Sequence, residues 1–187
     1  MRVSGGELYV SDRVISGLES ESKVLGYHAD NVAPAIMRGF VLIRIYDPLE
    51  LMQLKFPEEK DLFFVLVNPK FEAPTMKMRA ALPVEITMSH HGLGKVLSSN
   101  KIVEPRRAAL IPGMEGVKKA AMEASALGCT ISGAGPTAVA ITDDEEKGKV
   151  IGERIVEAFM EGGNLKAWTM VKRLDRVGAR LVSSISR

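Results

Sequence analysis

The sequence predicts an α+β fold, with helices packed on one face of an antiparallel or mixed sheet. Three observations carry this expectation. Leu62-Phe63-Phe64-Val65-Leu66-Val67 is an uninterrupted apolar run of strand length, the pattern of a strand buried on both faces. Two later segments, Gly113 to Leu127 and Asp143 or Asp144 to Met160, repeat apolar residues at helical spacing. From residue 61 onward the predicted order is β-α-α-β-β-α-β, which gives helices enough sheet to cover without alternating them strand by strand.

The elements follow in chain order. Val14, Ile15 and Leu18, then Val24 and Leu25, sit at loosely helical spacing. Asp30 or Asn31 can cap a helix through Ala33, Pro34, Ala35, Ile36 and Met37, with Pro34 tolerated in the first turn and Gly39 as the stop. Phe40-Val41-Leu42-Ile43-Arg44-Ile45-Tyr46 reads as a strand closed by Asp47-Pro48. Pro57 to Lys60 form a polar turn. Thr75 can cap a helix up to Pro83, and residues 83–105 are irregular. Met114, Val117, Ala120, Ala121 and Ala124 form the apolar stripe of a helix that Gly128 stops. Cys129-Thr130-Ile131, the turn Ser132-Gly133-Ala134-Gly135-Pro136 and Thr137 to Thr142 read as strand, tight turn, strand. The next helix points Val150, Ile151, Ile155, Val156 and Phe159 inward and ends at Gly162-Gly163. Ala167 to Leu174 is the last strand, which Gly178 to Val182 can extend.

Composition bounds the function. Among 187 residues, 25 are Lys or Arg and 23 are Asp or Glu, giving a net charge of +2. So balanced a chain is not a strongly basic nucleic-acid binder. With 46% hydrophobic and 26% charged residues it can bury a core. A single cysteine, Cys129, excludes an internal disulfide and fits a reducing compartment. No apolar run approaches the roughly 18 residues of a membrane span. Residues 1–20 lack the apolar stretch of a secretory signal, and their three acids argue against an organelle transit peptide.

Several residues could carry chemistry, each with a plainer alternative. In Ser132-Gly133-Ala134-Gly135-Pro136-Thr137 the glycines allow positive φ and close backbone approach, as an anion-lining loop or a tight hairpin requires. It is neither a Walker A sequence nor a dinucleotide fingerprint. His28-Ala29-Asp30-Asn31 opens a helix, where polar ligands are favoured and where an ordinary cap also sits. Thr75 and Arg79, spaced i, i+4, could hold a carboxylate or merely face solvent. Arg106-Arg107 offers another anion contact or a solvated loop. His90 and His91 point apart, and three His with one Cys make a metal cluster improbable. Asp143-Asp144-Glu145-Glu146 complements a helix dipole.

Four segments in this order, GYHADNVAPAIMRGFVLIRIYDPLEL, FEAPTMKMRAALP, KIVEPRRAALIPGMEGVKKAA and GCTISGAGPTAVAI, resemble the homoserine kinases of the GHMP small-molecule kinase superfamily, most closely their plant form. The resemblance runs over nearly the whole chain. It implies a GHMP C-terminal domain, ferredoxin-like, over residues 53–187, and a remnant of the N-terminal domain over residues 1–52. It also implies transfer of the γ-phosphoryl of ATP to the hydroxyl of L-homoserine, in threonine biosynthesis. Asp30 and Asn31 would then contact homoserine as the catalytic positions, with His28 beside them. Thr75, Arg79 and Arg107 would grip the amino acid, the arginines taking its carboxylate. Glu21 would match the magnesium ligand, and Ser132, Gly133, Ala134 and Gly135 the loop that borders the phosphate region. A homodimer in the chloroplast stroma is implied by resemblance alone.

The chain also departs from the family pattern. The Gly/Ser-rich ATP loop P-x-x-x-G-L-G-S-S-A is absent from these 187 residues. A helix-sized piece is missing after His90-His91, Arg38 stands where glycine is usual, and Leu25 stands where a small polar residue is usual. The expectation is therefore a truncated kinase, inactive alone, with apolar surface exposed along residues 8–46. The competing function is a non-catalytic amino-acid-binding or partner-binding α+β module.

Overall fold

The computed structural model describes residues 3–4, 7–8, 10–22, 28–55, 57–72, 74, 78, 80–81 and 103–180. They fall into two compact units: Met1–Lys60 with Leu174–Arg187, and Asp61–Arg173.

In the first unit a short antiparallel ribbon, β1 (Val3–Ser4) and β2 (Glu7–Leu8), precedes helices α1 (Val10–Ser22) and α2 (Ala29–Met37). The antiparallel hairpin β3 (Phe40–Tyr46) and β4 (Leu49–Leu54) follows. Val14 and Leu18 on α1, and Ala29 and Ala33 on α2, are fully buried. Each pair is spaced i, i+4, so each helix presents one stripe, and the alanines let the backbones come close. Val41, Ile43, Leu49 and Leu51 pack on this cluster from the hairpin. The other hairpin face leaves Leu42, Met52 and Leu54 exposed, with Leu42 directly opposite Met52.

Two expectations change in α2. The helix starts at Ala29, so Pro34 lies inside it rather than in its first turn, and His28 holds the N-cap position instead of Asp30 or Asn31. Pro34 has no N–H to return to the Asp30 carbonyl. Burial of Ala29 and Ala33 on one stripe outweighs that lost bond. At the other end Arg38 adopts φ 68°, ψ 165°, a region that is essentially glycine's. Residues 175–179 clasp this end: Gly39 N–H donates to Asp175 O (3.0 Å), Ala179 N–H to Ile36 O (3.2 Å) and Arg38 Nη1 to Arg176 O (2.6 Å).

The strand β4 is absent from the sequence reading, and the expected boundary at residue 52 falls inside it. Leu, Glu, Met and Gln are helix formers. The two-residue turn Asp47-Pro48 nevertheless folds them back onto β3, with Tyr46 opposite Leu49 and Phe40 opposite Leu54.

The second unit holds β5 (Phe63–Pro69), α3 (Val103–Ala108), α4 (Met114–Glu123), β6 (Gly128–Ile131), β7 (Ala138–Thr142), α5 (Glu145–Gly163) and β8 (Ala167–Arg173). Its sheet order is β6-β7-β5-β8 and every neighbouring pair is antiparallel. Val65, Val67, Cys129, Ala138 and Ala140 from the sheet share a core with Val117, Ala121, Ile151, Ile155 and Phe159 from α4 and α5. Each of the larger apolar side chains contributes about 1.5–3 kcal/mol on burial.

Here too the structure corrects details. β5 is buried on one face only: Val65 and Val67 are sealed, while Phe64 and Leu66 are half-buried. Among the described residues the helices pack on the face that carries Val65 and Val67. Val150 is exposed, because Ile151, Ile155 and Phe159 already form the i, i+4, i+8 stripe. Gly148 and Gly152 add a flank of α5 that lies tight against Val171 and Thr169 of β8. Helix α4 ends at Glu123, with Ser125 at φ 68°, and Gly128 opens β6 instead of stopping the helix. Helix α3 occupies part of the stretch read as irregular, with Pro105 in its first turn.

Candidate functional site

In the first unit, the start of α2 presents His28, half-buried, and Asp30 and Asn31, both exposed. The buried Ala29 and Ala33 fix the rotation of the helix and so turn this polar edge outward. A groove of about 700 Å³ elsewhere in this unit, lined by Arg38, Gln53, Lys55, Glu58, Asp175 and Arg176, contains none of the expected site residues.

In the second unit, Arg107 on α3 is the organising side chain. Its Nε donates to Met78 O (3.3 Å) and its Nη1 to Gly133 O (2.7 Å). It thus ties α3 to the Ser132–Thr137 turn and to Met78, which follows the Thr75 segment and is itself buried. A guanidinium has five N–H donors in a planar fork, enough to serve such carbonyls and a carboxylate. Arg107 is half-buried, which strengthens charge-assisted bonds made there.

The turn between β6 and β7 is both a tight hairpin and a partner of Arg107. Ser132 N–H donates to Thr137 O (2.8 Å) and Gly135 N–H to Ser132 O (2.9 Å). Gly133 and Gly135 take φ 54° and 89°. A Cβ at Gly135 would stand 2.9 Å from Ile111 Cδ1 and 3.1 Å from Ile131 Cγ2. The turn is therefore pinned to the core on one side and to Arg107 on the other.

One turn before Arg107 lies Glu104, only 5% exposed, with Lys118 Nζ of α4 at 2.9 Å from Oε1. The approach is that of an ion pair without hydrogen-bond alignment. Burial, eased by Lys118 and reinforced by Glu104, pushes the Cys129 thiol on β6 up to about 12. That thiol is inert rather than nucleophilic. The sequence reading passed over Glu104 and Lys118. Pro105 as a first-turn residue is the signal that could have revealed α3 and, with it, the inward side of Glu104.

Thr75 and Arg79 lie outside the described residues, as do Leu25, His90 and His91. Glu21 lies in α1, its side chain outside them. Asp144 caps α5, accepting from Lys147 N–H at 2.8 Å, so the acidic run serves the helix. Among the described residues no three His, Cys, Asp or Glu groups are placed to hold a metal ion. No described helix is long and apolar enough to cross a membrane.

Residues 78–161 match the family described as GHMP kinases C terminal. Homoserine kinase of Arabidopsis thaliana is 63% identical over 99% of this chain and 55% of its own length. That of Chlorobium phaeovibrioides is 38% identical over 83% of this chain and 54% of its own length. The crystal structure of homoserine kinase from Cytophaga hutchinsonii superposes with a TM-score of 0.81 at 34% identity, covering 93% of this chain and 61% of that one. The chain spans about half the length of the curated relatives it matches.

Proposed function

We propose that this chain, whose residues 78–161 match the family described as GHMP kinases C terminal, supplies the substrate-binding side of a homoserine kinase. The observation that carries this reading is Arg107, half-buried and tied by its own hydrogen bonds to Met78 and to Gly133 of the SGAGPT turn. Such a guanidinium is rigidly aimed, and a fixed bidentate donor is what selects an amino-acid carboxylate. Thr75 and Arg79 join it in this reading, and His28, Asp30 and Asn31 take the amino and hydroxyl end of L-homoserine, Asp30 and Asn31 as the catalytic positions. Residues 1–52 are read as a remnant of the kinase N-terminal domain and residues 53–187 as its C-terminal domain.

The reaction moves a phosphoryl group from ATP, with magnesium, to the substrate hydroxyl. In such transfers positioning and charge stabilisation dominate. The residues of this chain bind and orient the amino acid and exclude water from its carboxylate. The Gly/Ser-rich ATP-loop sequence is absent from these 187 residues, and in the SGAGPT turn the Ser132 and Gly135 N–H groups close the hairpin. Glu21 remains the magnesium candidate by resemblance only. Accordingly the chain alone is inactive. A chloroplast stromal location and a homodimer are carried over from the resemblance to the plant form alone.

Isothermal titration of the purified chain with L-homoserine tests the reading. Expected is one site per chain, weakened roughly 10- to 100-fold in Arg107→Met, the range of a lost charge-assisted pair. Equal affinity in the two proteins, or no binding by the wild type, overturns it. A coupled ADP-release assay with ATP and L-homoserine should show no turnover by the chain alone. The non-catalytic module reading rests on the retention of Asn31, Arg79 and Arg107, and homoserine-dependent ADP release by a chimera with the Arabidopsis relative separates the two.

A further inference from the structure

We propose that Glu104 and Lys118 are positioning residues that hold Arg107 for carboxylate recognition; this rests on the reading of Arg107 above. Helix α3 has six residues, too few to be stable by itself, so tertiary contacts set its rotation. Glu104 and Arg107 are spaced i, i+3 and share one side of it. Glu104 is 5% exposed, and a buried carboxylate is costly unless a cation meets it. Lys118 Nζ, from α4, is that cation at 2.9 Å. Other ion pairs of this unit, Lys119 with Glu123 and Arg154 with Glu157, are exposed on both sides and constrain little. The buried pair permits one rotation of α3 against α4. In that rotation Arg107 Nη1 reaches Gly133 O and Nε reaches Met78 O. Rotating α3 by even part of a turn would expose Glu104 to an apolar wall and withdraw the guanidinium from both carbonyls. Replacing both members of a buried pair by uncharged groups of similar volume is tolerated far better than removing one.

The test uses the full chain as wild type, Lys118→Arg, Lys118→Met, Glu104→Gln and Glu104→Gln/Lys118→Met. Two ligands are compared by calorimetry, L-homoserine and 2-aminobutane-1,4-diol, which replaces the carboxylate by a hydroxymethyl group. Wild type and Lys118→Arg should prefer L-homoserine. The double variant should keep a cooperative thermal transition and lose roughly tenfold of that preference, with diol binding unchanged. A general loss of structure would weaken both ligands alike. If the double variant melts below the assay temperature, Glu104→Gln alone gives the same comparison, because the Lys118 it leaves is 26% exposed and can turn to solvent, whereas Lys118→Met leaves Glu104 buried without its cation and should melt lowest. In parallel, the Arg107 Nε–H resonance, assigned with Arg107→Lys, should be protected from exchange in wild type and exchange rapidly in the double variant. A folded double variant with unchanged preference or unchanged Nε–H protection overturns the proposal. If wild type binds neither ligand, the homoserine reading fails, and the Nε–H protection alone still decides whether the pair positions Arg107.

Discussion

Replacing Gly135 by alanine, with Gly133→Ala as its control, measures how firmly the SGAGPT turn is pinned to the core. Both glycines have positive φ, 89° and 54°. An L-residue there loses about 1 kcal/mol or somewhat more to backbone strain. Beyond that the positions differ. A Cβ at Gly133 meets nothing within 4 Å, whereas one at Gly135 comes to 2.9 Å of Ile111 Cδ1, 3.1 Å of Ile131 Cγ2 and 3.4 Å of Met78 Cε. Ile111 and Met78 are 2% and 1% exposed, so neither can swing aside into solvent. Overpacking of this kind costs about 1–3 kcal/mol. Gly133→Ala should therefore lose about 1 kcal/mol and Gly135→Ala about 2–4 kcal/mol. At roughly 3 °C per kcal/mol for a chain of this size, the two melting temperatures should differ by about 3–9 °C. Urea unfolding followed by circular dichroism, with the m-value checked for constancy, gives the free energies. Equal losses within about 0.5 kcal/mol, or a larger loss at Gly133, would refute the claim that the turn abuts Ile111 and Met78.

Further outcomes follow from three single sites. Arg38→Gly should be more stable than Arg38→Ala by about 1 kcal/mol in urea melts, reversing the usual order, because φ 68°, ψ 165° is glycine's region; a more stable Arg38→Ala contradicts the strained backbone. Asp144→Ala should lose about 1 kcal/mol through the cap to Lys147 N–H, read by thermal melting. Cys129 should resist a disulfide-exchange reagent at pH 8 until the chain is unfolded, because its thiol, pushed up to about 12, stays protonated. A folded-state value raised in this way stabilises the chain below the ordinary thiol range and loses that contribution as pH climbs toward 12, so Cys129→Ala should flatten the alkaline fall in stability. Rapid labelling of the native chain contradicts this.

The α+β architecture was legible because its core elements announce themselves by period. The i, i+4 stripe of α5 and the apolar run of β5 carry their own signal. What stayed hidden was decided by partners far along the chain. The helix-forming residues of β4 become a strand only because β3 lies across a two-residue turn. Pro34 sits inside α2 because Ala29 and Ala33 are needed against α1. The one-sided burial of β5 depends on which face the helices choose, which a continuous apolar run does not encode. At the candidate site, Arg107 and the SGAGPT turn could be named from residue types alone. Their hydrogen bond, and the buried Glu104–Lys118 pair behind it, required two segments 26 residues apart and two helices to be brought together. Residue type alone makes Asp30 or Asn31 the cap of α2, whereas the helix begins at Ala29 and leaves both exposed within its first turn.

The most direct test of the central claim is homoserine-dependent ADP release by a chimera. This chain replaces the matching region of the Arabidopsis relative, whose remaining length it does not cover. Assayed with ATP and magnesium, the chimera should turn over, and Arg107→Met in it should raise KM for L-homoserine roughly 10- to 100-fold. A folded chimera that releases ADP no faster with L-homoserine than without it contradicts the assignment of this chain as the substrate-binding side of a kinase and leaves the non-catalytic module in its place.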